Sequence, residues 1–154
     1  FFIASADPSL GTRDNGCGPV NVSPKGGTPL RILDDNRVAY LDYTGSGNET
    51  ARHADLDGPV TVMFCSFNDS DPSIVRLFGK ARVMLLDDSP LRDAMMEFPF
   101  PEIGLPARQV IEIFVEKTQT SCGYGVPVMQ YVGERPTESR GRAFKPDLAA
   151  PPVV

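Results

Sequence analysis

Short apolar or alternating runs, cut every few residues by Gly, Pro, Asn or Asp, commit this chain to a sheet. Runs of four to eight residues with period two read as half-buried strands, and such frequent turn residues leave little room for long helices. Residues 1–6 form the first run, and 18–23 alternate after a polar loop at 7–17. Residues 30–33 follow a Gly26-Gly27 turn, Asp34-Asp35-Asn36 is a tight-turn signal, and 37–43 are rich in β-formers. Residues 60–67 are apolar on both faces, which predicts a strand inside the sheet. Residues 74–84 predict a long strand with a bend or bulge at Gly79, and 109–116 alternate again. Two segments read as helical. In one, Ser89 caps, Pro90 takes the first position, and Leu91, Ala94, Met95 and Phe98 make one apolar stripe. The other starts near Asn48. Six or seven strands that do not alternate with helices predict a mainly β fold, an antiparallel barrel or sandwich with few helices, and disfavour a doubly wound one. The 154 residues suit one domain over 1–133, followed by a Pro-rich tail or arm at 134–154.

Charge and cysteines exclude several functions. Fifteen Lys/Arg against 20 Asp/Glu give −5, the wrong sign for a general nucleic-acid binder, although a local pocket for one small anion remains open. No apolar run approaches the roughly 18 residues of a membrane helix. Phe1 to Ala6 lack a basic n-region and read as a strand rather than a signal peptide, and the missing initiator Met suggests residues before Phe1. Cys17, Cys65 and Cys122 are odd in number with no CxxC, so free thiols in a reducing cytoplasm are expected, with Cys65 buried. His53 is the single His, which argues against a metal site or a catalytic triad and leaves it on a helix surface or beside a phosphate.

The chemistry concentrates in residues 40–53. A strand ends at Tyr43-Thr44, a Gly-containing turn follows, and a short helix opens with Thr50, Ala51 and Arg52. Unpaired N–H groups, hydroxyls and a guanidinium there could cradle a phosphate. The same residues also fit a plain capping box, Ser46 capping and Glu49 reaching back. A second stretch, Val20-Asn21-Val22-Ser23-Pro24-Lys25-Gly26-Gly27, offers a Lys beside a strand end, or only a hairpin turn.

As a pair, the two stretches resemble the pyridoxamine 5′-phosphate oxidase-like flavoproteins. Ser121-Cys122-Gly123-Tyr124-Gly125-Val126-Pro127 is similar to a signature of an uncharacterised branch of that family, and the resemblance runs over about residues 1–133. It implies an antiparallel FMN-binding split β-barrel of Greek-key type, with FMN at the interface of a homodimer. It assigns cofactor contacts to Asn21, Val22, Ser23, Pro24 and Lys25 for the ribityl chain and ring edge. Tyr43, Thr44, Thr50, Ala51 and Arg52 are assigned to the phosphate. Departures point away from the true oxidases: Val20 stands where they have Arg, Thr50-Ala51-Arg52 where their helix opens Ser-Arg-Lys, and Ile74 where they place a ring-contacting Gln. Their substrate-phosphate motif and Trp- and Arg-bearing C-terminal end are missing too.

The reading that follows is an FMN-dependent oxidoreductase acting on an unspecified small molecule, with no catalytic residue assigned. Cys122 and Tyr124 are candidates for the substrate pocket. A non-catalytic flavin carrier and an F420-dependent reductase are alternatives, and haem is disfavoured by the single His.

Overall fold

The structure, a computed structural model, describes residues 1–9, 18–27, 29–45, 47–97 and 105–133; Cys17, Ser46, Phe98 and the 134–154 tail lie outside them. Seven strands are present among the described residues: β1 (Phe2–Ala6), β2 (Val20–Pro24), β3 (Arg31–Asp34), β4 (Arg37–Tyr43), β5 (Pro59–Cys65), β6 (Ser73–Leu85) and β7 (Ala107–Cys122). They form one antiparallel sheet in the order β2-β1-β5-β6-β7-β4-β3. Two helices accompany it, α1 (Glu49–Asp55) and α2 (Arg92–Met96), with a 3-10 turn at Leu86–Asp88.

The sheet curls until its two ends face each other. Phe1 packs edge-on to Tyr40 of β4 with ring centres 5.5 Å apart, and Lys25, just past β2, reaches Asp42 of β4. Among the described residues no ladder joins β1 or β2 to β3 or β4, so the barrel is split rather than closed. Ile3, Val38, Tyr40, Val60, Val62, Ile111 and Ile113 fill its interior, with Ala51 of α1 closing one side. Full burial of each such aliphatic side chain contributes about 1.5–3 kcal/mol. On the other face of β4, Ala39 and Leu41 join Val110 beneath Met95 of α2. Burial on both faces explains why residues 38–41 are apolar without interruption.

The expected strands form, with shifted ends. The 60–67 run becomes the interior strand β5, and the last strand extends well past residue 116, because β7 pairs with both β4 and the whole of β6. A register shift falls between Phe78 and Gly79, where a bulge was expected. At the β3–β4 turn the Asn36 N–H and then Arg37 hold the Asp34 carboxyl below its usual range.

Three expectations need correction. The second helix is shorter than its stripe. Ser89 Oγ accepts from the Leu91 N–H at 3.2 Å, so Pro90 lies in a turn before the helix; Met95 is buried and Ala94 is exposed. The capping box does not form. Asn48 is the N-cap of α1, which makes Glu49 the first helical residue rather than the third, and among the described residues no side chain caps the helix. Cys65 is half-buried rather than buried, because β5 ends on it; it and Cys122 are free thiols.

Candidate functional site

Residues facing one another across the gap between β2 and α1 build the site. β2 is an edge strand, so its residues alternate: Val20, Val22 and Pro24 face out, Asn21 and Ser23 face the gap. Asn21 Nδ2 donates to Thr50 Oγ1 at 3.3 Å, which leaves the Thr50 proton available to another acceptor. The Lys25 N–H donates to Phe1 O at 2.8 Å and fixes the root of its side chain. Its Nζ then lies 3.2 Å from Asp42 Oδ1 and 5.6 Å from the centre of the Tyr40 ring. These groups, with Glu49, Ala51 and Ile111, line a cleft of about 40 Å³.

Asp42 is the hub of the floor. Its Oδ2 accepts from Arg108 Nη2 at 2.5 Å and from Gln109 Nε2 at 2.9 Å, while Lys25 holds Oδ1. Gln109 Nε2 also lies 2.9 Å from Asn48 Oδ1, and Arg108 Nη2 lies 3.1 Å from Gly47 O. The start of β7 thereby pins the turn that opens α1. The Tyr40 hydroxyl is buried beside this network and has no hydrogen-bond partner among the described residues. Burial pushes its ionisation far above the ordinary phenol range, Asp42 adding to the shift and Arg108 opposing it, so it stays a neutral donor.

Of the residues read from sequence, Asn21, Ser23, Lys25, Thr50 and Ala51 meet at the cleft. Val22 and Pro24 point outward from β2. Tyr43 and Thr44 lie at the end of β4, where burial raises the Tyr43 hydroxyl and Thr44 Oγ1 donates to Pro106 O at 2.8 Å. Arg52 is half-exposed and, two residues past Thr50, falls on the opposite side of α1. Cys122 and Tyr124 sit at the far end of β7 from Ile111, and Tyr124 is exposed.

His53 is neither on the helix surface nor at the cleft. It is fully buried, with Nε2 2.9 Å from Gly18 O and Nδ1 2.9 Å from Ser5 Oγ. A carbonyl only accepts, so Nε2 carries the proton, and in the neutral ring Nδ1 accepts from Ser5. The side chain ties α1 to β1 and to the approach of β2.

Sequence reasoning does not reach Tyr40, Asp42, Asn48, Arg108 or Gln109 as site residues. One signal pointed to them: Asp42 interrupts an apolar strand, and a carboxylate in such a strand needs buried partners. Among the described residues, no cluster of three or more His, Cys, Asp or Glu could hold a metal ion, and no helix is long and apolar enough to cross a membrane.

No protein-family model matches the chain. Over 131 residues it is 40% identical to the pyridoxamine 5′-phosphate oxidase family protein ustO of Aspergillus flavus, a match covering 84% of this chain and 49% of that protein. The chain therefore spans about half the length of that curated relative. Among solved structures it is similar to an FMN-binding protein of Syntrophomonas wolfei, with TM-score 0.55, 12% identity, and coverage of 77% of this chain and 74% of that one. It is also similar to a candidate pyridoxamine 5′-phosphate oxidase of Lactobacillus delbrueckii, with TM-score 0.53, 21% identity, and coverage of 77% and 81%. HupZ of Group A Streptococcus matches with TM-score 0.52 and 19% identity over 76% of this chain and 80% of that one. At these identities the structures establish the split-barrel fold.

Proposed function

We propose that this chain, which belongs to the pyridoxamine 5′-phosphate oxidase-like family, binds FMN at the cleft between β2 and α1 and serves as an oxidoreductase for a small molecule. The observation that carries this reading is the convergence of Asn21, Lys25 and Thr50, from two stretches distant in sequence, on a cleft also lined by Tyr40, whose buried hydroxyl has no partner among the described residues. One cation and several neutral donors suit a ligand rich in hydroxyls and carbonyls, so the residues present fit a flavin. The FMN-binding description of the Syntrophomonas neighbour and the family name of the Aspergillus relative agree with that cofactor.

FMN, when bound, would supply hydride transfer; the protein's share is position, electrostatics and exclusion of water. No catalytic acid or base is assigned among the described residues, although the Glu49 carboxylate lines the cleft. Asp42 is already held by three donors, and His53 is committed to Ser5 and Gly18. Lys25 and Asp42 balance each other there, so the floor suits the neutral part of a flavin; the family resemblance gives the phosphate to Arg52, which lies outside this floor on the other side of α1 from Thr50.

Arg52→Ala is then expected to weaken FMN binding roughly 10- to 150-fold, the size of a charge-assisted contact of about 1.5–3 kcal/mol. Thr50→Val should cost less, about 0.5–1.5 kcal/mol. Riboflavin lacks the phosphate, so Arg52→Ala should not alter its affinity, whereas Thr50→Val, a change at the cleft, should weaken both flavins alike. Calorimetric titration of both flavins into the apo-proteins is the check, and equal losses for the two ligands would remove Arg52 from the phosphate. Bleaching of bound FMN by a reduced nicotinamide, with reoxidation by an added acceptor, marks an enzyme; bound flavin that nicotinamide never reduces marks a carrier.

The proposed working unit is a homodimer. A cleft of about 40 Å³ is far smaller than the roughly 300–1,000 Å³ of a small-molecule pocket, so a flavin lying here needs a second wall. Val20 and Val22, 62% and 64% exposed on the edge strand beside the cleft, are apolar surface that a second copy would cover. Light scattering of the FMN-loaded protein should return twice the chain mass, and a stable flavin-bound monomer at micromolar concentration would refute the dimer.

A further inference from the structure

The Tyr40 side chain is fixed on every side except at its hydroxyl. Tyr40 shares the inner face of β4 with Val38 and Asp42, pairs with Ile111 across β7, and carries the Phe1 ring against its own. Lys25 lies over its ring. The residue is fully buried, yet its oxygen meets no partner among the described residues. Folded proteins rarely leave a buried hydroxyl unbonded, and an exception calls for a cause. The nearby Asp42 carboxylate does not supply the acceptor; its oxygens accept from Lys25, Arg108 and Gln109 and not from Tyr40. The hydroxyl belongs to a residue that lines the cleft, and it is left for an acceptor that is not part of this fold.

The charges around it say which acceptor. Lys25 and Asp42 cancel at the floor, and the Glu49 carboxylate lines the same cleft, so a phosphate would gain nothing there. A neutral oxygen or nitrogen would gain a hydrogen bond without that repulsion. Resting on the flavin reading above, we propose that the Tyr40 hydroxyl donates a hydrogen bond to the bound cofactor on the part that FMN and riboflavin share, a ribityl hydroxyl or a ring acceptor. Tyr40 is thus a cofactor-binding residue at a position to which the family resemblance assigns no contact.

Tyr40→Phe removes the oxygen and keeps the ring, and it should separate binding from stability in opposite directions. FMN and riboflavin affinities are expected to fall by the same factor, roughly 2- to 10-fold, the size of one neutral hydrogen bond. The apo-protein should melt about 2–4 °C higher, because a buried unbonded group has been removed. The measurements are flavin fluorescence quenching, with riboflavin read by competition against FMN, and calorimetric melting of the apo forms. Unchanged affinity for both flavins overturns the assignment, as does a loss confined to FMN, which would put the hydroxyl at the phosphate. A lower apo melting temperature overturns it too, since the hydroxyl would then have a partner within the fold. Wild-type protein that binds neither flavin sinks the flavin reading itself, and this assignment with it.

Discussion

Replacing Gly79 by Ala is expected to cost the fold at least about 3 kcal/mol, the upper range for forcing atoms into packed structure. A Cβ built on Gly79 would lie 1.9 Å from the Phe114 carbonyl oxygen and 2.9 Å from its carbon. Those are backbone atoms of β7, held in the ladders to β4 and β6, so no side chain can swing aside to make room. Gly79 also sits where the β6–β7 register shifts, and relief would require re-pairing the two longest strands. Against a stability of about 5–15 kcal/mol for a domain, the loss is large, equivalent to roughly 6–12 °C in melting temperature. Gly125→Ala is the control: a Cβ there meets nothing within 4 Å, and its effect should stay within about 0.5 kcal/mol. Urea denaturation of both variants decides the matter. A Gly79→Ala loss no larger than the control would mean that the ladder yields easily.

That glycine also illustrates what the sequence makes legible. A Gly inside an otherwise β-rich run marks a bulge because no other residue permits so close an approach of two backbones, and the register shift falls on it. The strands themselves are readable because each buries one or both faces: Val60 and Val62 point into the barrel, while Ala39 and Leu41 pack beneath α2. Ends are less readable, since they depend on partners. β7 runs on past its alternating residues because β6 beside it is long, and residues such as Thr118 and Gln119 enter the sheet through pairing rather than hydrophobicity. Helix caps fail for a related reason. Ser46 and Glu49 have the spacing of a capping box, but Gln109 pulls on the side chain of Asn48 and Arg108 on the carbonyl of Gly47, and the helix starts at the place those contacts set.

The site divides in the same way. Asn21, Lys25 and Thr50 are legible because they sit in compact motifs, and the fold brings those motifs to one cleft. Tyr40, Asp42 and Gln109 are not, because their role comes from β4 and β7 lying side by side, with Asp42 directly opposite Gln109. His53 is misread from sequence for a simpler reason. A helix of seven residues has little surface that is not packed, and its last turn faces β1 rather than solvent.

The second large effect concerns a buried carboxylate on the outer face of the sheet, away from the cleft. Glu112 has no exposed side-chain surface; its Oε1 lies 3.2 Å from Arg37 Nη1 and its Oε2 lies 2.5 Å from Arg82 Nη2. Arg82 Nε adds a contact at 3.1 Å, and the guanidinium also lies over the Phe114 ring. Ala39, paired opposite Glu112 on β4, is small enough to leave the carboxylate room. The two arginines are each about half exposed, so either can return to water at little cost when released. Glu112 has no such exit. Replacing Arg37 and Arg82 together by Met leaves an uncompensated buried charge and should cost about 3–5 kcal/mol. Adding Glu112→Leu to that double variant removes the charge and should restore most of the loss, since an apolar triad commonly matches a buried ionic one. Denaturation midpoints of the wild type, the double and the triple variant are the measurement. A triple variant as unstable as the double would show that the arginines act through their packing and not through the carboxylate they neutralise.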